Sequence, residues 1–120
     1  MRTRLAAAAF AAIVAASCAA AIVPAAPVVM PAGVRFEIVR PEARSVAVAG
    51  SFNQWSAAAN LLRRAGSHGL WSLVVPLPPG EHHFMYVVNG TEWISPVAED
   101  YVDDGFGSKN GVVVVRTKER

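Results

Sequence analysis

From Val34 onward the chain alternates. Val34-Arg35-Phe36-Glu37-Ile38-Val39 sets apolar and polar residues in turn, the period of a strand with one buried face. Pro41-Glu42-Ala43 breaks the pattern, and Val46 and Val48 mark a second strand that ends at Gly50. Leu61–Arg63 is a short third strand, closed by the turn residues Gly66-Ser67-His68-Gly69. Trp71–Leu77 is a fourth, stopped by Pro78-Pro79-Gly80. His82–Val88 is a fifth, and Asn89-Gly90 after it is the clearest hairpin signal, because both residues tolerate the positive φ of a type I′ turn. Thr91–Ile94 returns from that hairpin. After a long loop through Gly111, Val112–Arg116 is the last strand, and its run of four valines predicts burial on both faces or a covered edge. With turns about every 8–12 residues and no helical period, the pattern predicts an all-β sandwich.

Upstream of Val34 the alternation is absent. Residues 1–34 hold 26 apolar residues, of which 14 are Ala. Met1–Arg4 is a short basic start, and Leu5–Val23 follows without a charge. That order predicts a targeting segment over 1–23, with small-residue cleavage sites such as Ser17-Cys18-Ala19 or Ala19-Ala20-Ala21. Val14-Ala15-Ala16-Ser17-Cys18 resembles a bacterial lipobox, which would make Cys18 a lipidation site, although Ala15 stands where a large aliphatic is preferred. The 19-residue run also reaches the ~20 residues that span a bilayer, so an uncleaved anchor is the third option. All three predict export, to the periplasm, the cell surface or a membrane anchor facing outside the cytoplasm. Pro24, Pro27 and Pro31 make 24–33 an extended linker. The domain is then expected over 34–116, with a tail at 117–120.

Charge changes meaning once the leader is set apart. The chain has eleven Lys and Arg against nine Asp and Glu; without Arg2 and Arg4 the balance is nine against nine. The basic excess therefore belongs to the leader, and with no basic stripe or phosphate-cradling Gly loop no nucleic-acid or nucleotide partner is expected. No Gly-x-Ser-x-Gly elbow is present. His82 and His83 should point to opposite faces, so they are expected at a solvated strand entrance and not on a shared metal. Glu99, Asp100, Asp103 and Asp104 do not follow a calcium-loop order and read as solvated carboxylates. Asn89-Gly90-Thr91 fits a glycosylation sequon but is better explained as the hairpin turn. No enzyme activity, cofactor or metal is expected.

The tryptophans are more informative. Trp71 lies among Leu70, Leu73 and Val75 and reads as core, whereas Trp55 follows the turn-rich Ser51-Phe52-Asn53-Gln54 and Trp93 lies just past the Asn-Gly hairpin. An indole beside amide groups suits a sugar ring, with its apolar C–H face and hydroxyl rim. Structural packing is the competing reading for both residues.

Val46-Ala47-Val48-Ala49-Gly50-Ser51-Phe52-Asn53-Gln54-Trp55 resembles the V-x-V-x-G-x-F-N-x-W signature of carbohydrate-binding module family 48. Gly69-Leu70-Trp71, Leu77-Pro78-Pro79-Gly80-Glu81-His82-His83-Phe84-Met85-Tyr86-Val87-Val88-Asn89-Gly90, Trp93, Pro96 and Gly107-Ser108-Lys109-Asn110-Gly111 follow in the family's order. This family includes the glycogen-binding domain of the AMP-activated protein kinase beta subunit and the early-set domain of isoamylases. The resemblance implies an immunoglobulin-like early-set β-sandwich, and a non-catalytic module that binds an α-glucan such as glycogen or starch. It also implies that Trp55 and Trp93 stack on the sugar, that Asn110 and Ser108 read hydroxyls, and that Phe106 takes the place of an apolar Leu. At Met85 binding members carry a Lys that donates to a hydroxyl, so one donor is missing at that site position. The alternative is a protein-interaction or envelope-sensing module that keeps the fold, has a degenerate sugar site and takes an envelope protein as partner.

Overall fold

The computed structural model describes residues 25–117; the leader expectations, Cys18 among them, lie outside the described residues. Among the described residues nine strands run in chain order: β1 (Val28–Met30), β2 (Gly33–Val39), β3 (Val46–Gly50), β4 (Arg63–Ala65), β5 (Leu70–Val75), β6 (Gly80–Val88), β7 (Glu92–Ile94), β8 (Asp100–Asp103) and β9 (Lys109–Val115). They form two sheets, ordered β1-β2-β5-β4 and β3-β6-β9-β8, with β7 paired to β6 beyond the end of its pairing with β9. All pairs are antiparallel. The chain folds as the all-β sandwich its alternation predicts.

The inward faces follow from that alternation. Val34, Phe36 and Ile38 of β2 meet Phe84, Tyr86 and Val88 of β6 in one buried cluster. Phe36 and Phe84 pack edge-on with ring centroids 5.0 Å apart, a favoured aromatic geometry. Tyr86 Oη donates to the Glu37 carbonyl at 3.1 Å, tying the two sheets together, and burial pushes the phenol well above its ordinary pKa. Trp71 is core, as expected: its Nε1 donates to the Arg40 carbonyl at 3.0 Å, and the Arg64 guanidinium sits 4.4 Å from the ring centre. Glycine at 111 makes room for its neighbours, because a Cβ there would lie 2.7 Å from Pro96 Cγ and 2.9 Å from the Phe84 ring and would force them to shift.

Several local expectations change. β1 pairs with β2 inside the Pro/Ala stretch read as linker, and β8 forms inside the acidic stretch read as loop. The third strand is displaced: Leu61 bridges only to Ala47, and Arg63–Ala65 pairs with β5 in the other sheet. His82 is not at a solvated entrance. It is buried, with Nε2 donating to the Pro78 carbonyl at 2.8 Å and its ring edge-on to Phe52. In β9, which lies between β6 and β8, Val112 and Val113 are buried while Val114 is 43% exposed, so the valine run is only partly covered.

Candidate functional site

Because Phe84, Tyr86 and Val88 point into the core, Met85 and Val87 between them point outward. The register then builds a surface. Ala47, Val87 and Trp93 lie in one row across β3, β6 and β7, and Ala49 pairs with Met85 in the next. Phe84 pairs with Gly111, so the register sets Asn110 of β9 at the level of Met85. Ala47, Ala49 and Val87 form a second, outer cluster, and the Trp55 side chain packs against it. Alanine is what makes this seat: larger residues at 47 and 49 would occupy the space of the indole. Trp93 stands in the same row, 44% exposed. With strands ~4.8 Å apart, the Cα atoms of Ala47 and Trp93 are roughly 10 Å from each other across Val87.

Trp55 is held by an unusual loop. Gln54 and Trp55 both have left-handed backbones, φ 58° and 57°, where side chains other than glycine are disfavoured. Asn53 sets this geometry with all of its amide. Its Oδ1 accepts from the backbone N–H groups of Gly50 at 2.9 Å and Ser56 at 3.3 Å. Its Nδ2 donates to the Val48 carbonyl at 3.0 Å and to Asn60 Oδ1 at 2.6 Å. The Trp55 N–H closes the loop on the Gly50 carbonyl at 2.9 Å.

The remaining candidates divide. Asn110 is half-buried on the outward face, beside the row that holds Met85. Ser108 and Phe106 sit in the turn between β8 and β9, where Asp104 Oδ1 accepts from the N–H groups of Phe106 at 2.7 Å and Ser108 at 3.1 Å. That turn presents Phe106 almost entirely to solvent, 92% exposed. Met85 is different in kind: at 7% exposure it is part of the floor and not a side chain that reaches out to a ligand. The nearest polar side chains on this face of β6 are Glu81 and His83, joined at 2.7 Å nearer the start of the strand. The floor of Ala47, Ala49, Met85 and Val87 is thus uncharged, with the Asn110 amide at the level of Met85. Among the described residues no His, Cys, Asp and Glu cluster could hold a metal ion. Asn89 has a structural task that the sequon reading leaves out: φ is 55° and Oδ1 accepts from the N–H groups of Arg44 and Ser45 at 2.7 and 3.2 Å.

Residues 34–120 match the family described as the glycogen recognition site of AMP-activated protein kinase. The chain belongs to this family. A 1,4-alpha-glucan branching enzyme of Rhizobium johnstonii is 39% identical over 71 residues, 58% of this chain and 10% of the enzyme. A branching enzyme of Pseudomonas syringae pv. syringae is 41% identical over 69 residues, 57% of this chain and 9% of the enzyme. The 5'-AMP-activated protein kinase subunit beta-2 of mouse is 30% identical over 76 residues, 63% of this chain and 27% of the subunit. The chain therefore spans about a tenth of the branching enzymes and about a quarter of the kinase subunit.

Residue type and context single out Trp55 and Trp93, Asn110 enters only through the family resemblance, and neither points to the residues beneath them. Ala47, Ala49 and Val87 read as ordinary strand residues, and Asn53 as one more turn former. The signal for the floor was present in the parity of β3 and β6, which sends Ala47, Ala49 and Val87 to the side away from Phe84 and Tyr86.

Proposed function

We propose that this chain is a non-catalytic α-glucan-binding module that acts outside the cytoplasm. One observation carries the binding: Trp55 packs on the outward cluster of Ala47, Ala49 and Val87, and Trp93 pairs with Val87 on the same uncharged floor, with Asn110 at its margin. Stacked indoles cover the C–H faces of successive glucose units, and the amide pairs with hydroxyls that would otherwise lose water. Phe106 and Ser108 extend the surface from the neighbouring turn. The branching enzymes and the kinase subunit share this domain as a fraction of their length, which favours a binding role over a catalytic one here. Export rests on the basic start and the uncharged Leu5–Val23 run.

Affinity electrophoresis in glycogen-containing gels tests the binding. The full chain is expected to be retarded and the Trp55→Ala, Trp93→Ala double variant to migrate as in a gel without glycogen; identical migration of both proteins in both gels rejects it. Cell fractionation tests export, which fails if the chain is recovered in the cytoplasm at its full mass.

A further inference from the structure

We infer that Asn53 is a positioning residue for glucan recognition, fixing the pose of Trp55 without touching the sugar; this rests on the glucan reading above. Two consecutive left-handed residues, neither of them glycine, are a conformation the chain adopts only where its surroundings impose it. Here backbone bonds from Trp55 and Asn53 to the Gly50 carbonyl close the turn, and one side chain supplies the contacts that tie it to its surroundings. Asn53 spans the loop, accepting from Gly50 before it and Ser56 after it, and anchors it to β3 through Val48 and to Asn60. The bonds to Ser56 and Asn60 bracket Gln54 and Trp55, and those to Gly50 and Val48 anchor the residue just before them. Without them, the Trp55 backbone is free to relax to negative φ, and the indole leaves its seat on Ala47, Ala49 and Val87.

The consequence is preorganisation. A stacking platform that is already in place spends none of its contact energy on ordering itself, so affinity depends on a residue outside the contact surface. Asn60 is the second member of the device. It receives Asn53 Nδ2, and its own carbonyl accepts from the Val48 N–H at 3.0 Å, so the end of the loop is pinned to the strand that carries the floor.

A double-mutant cycle on the full 120-residue chain tests this, with maltoheptaose as ligand and calorimetry as readout. Asn53→Ala is expected to weaken binding about tenfold in the presence of Trp55 and to have no further effect in the Trp55→Ala background. An equal loss in both backgrounds overturns the proposal, since a general loosening of the domain acts through every contact. A second readout needs no sugar: with 5-fluorotryptophan, Asn53→Ala is expected to move or broaden the Trp55 fluorine resonance and to leave those of Trp71 and Trp93 in place. A matching shift at Trp71, in the core, overturns it. If the wild type binds no maltoheptaose, the glucan reading fails while the fluorine experiment still decides whether Asn53 sets Trp55. Should Asn53→Ala not fold, Asn60→Ala is expected to give about a threefold loss and Asn60→Asp, which keeps the acceptor, to restore wild-type affinity; no loss with Asn60→Ala overturns the proposal.

Discussion

On the outward face of β2 and β5, Glu37 collects its neighbours: Arg35 Nε lies 3.3 Å from Oε2, and Ser72 Oγ donates to the same oxygen at 3.3 Å. On the outward face of β3, β6 and β7 the corresponding positions hold Ala47, Ala49, Val87 and Met85, all buried, with two indoles standing on or beside them. Both faces use half-covered strands of one sandwich. The first sets charged and polar side chains beside one another; the second has almost none, yet two large rings remain there partly open to solvent. An apolar floor of this kind suits the neutral polyhydroxyl ligand proposed above, because it offers contact area without charge.

The largest expected effect separates the faces. Trp55→Ala with Trp93→Ala should remove about 3 kcal/mol of maltoheptaose binding, a hundredfold or more, while Arg35→Ala with Glu37→Ala leaves calorimetric affinity unchanged. A comparable loss from the second pair would erase the distinction. Next is Gly111→Ala, which drives a Cβ into Pro96 and Phe84 and should cost about 1–3 kcal/mol of stability in urea unfolding. Wild-type stability in that variant would mean that the strand behind Asn110 is not packed as described. Met85→Lys should add a donor by reaching past the floor, tightening maltoheptaose binding about threefold, and weaker binding would place the glucan away from β6. The smallest effect is on the charged face: Arg35→Ala alone should change the unfolding free energy by less than about 0.5 kcal/mol, as partly exposed ion pairs do.

How much of this the residues disclose in advance depends on whether the deciding contact is local. β2, β5 and β6 are legible because their alternation is long and their turns are chemically explicit. β1 is hidden because three residues between prolines carry no period, and their pairing is decided by β2. β8 is hidden because Asp100-Tyr101-Val102-Asp103 looks like solvated loop, and only an edge position lets acidic residues sit in a ladder. The buried His82 is a case of a partner, the Pro78 carbonyl, that residue type does not announce. At the site, Trp55 and Trp93 stand out by context. Met85 reads as a position that faces ligand, and its burial emerges only from the packing of the completed sheet. The left-handed pose of Trp55 is likewise invisible without the four bonds of Asn53.

The segment from Asn60 to Ala65 belongs to both sheets. Asn60 and Leu62 bond to Val48 and Val46 of β3, and from the next residue, Arg63, the same segment is a strand beside β5. One long side of the sandwich is therefore a covalent seam, and the other, bounded by β1 and β8, is not. Amide protons should exchange in a matching gradient: β1 and β8 fray first, and the seam exchanges only when both sheets open together. The loop carrying Trp55 ends on that seam, so the platform should be among the last parts of the domain to open.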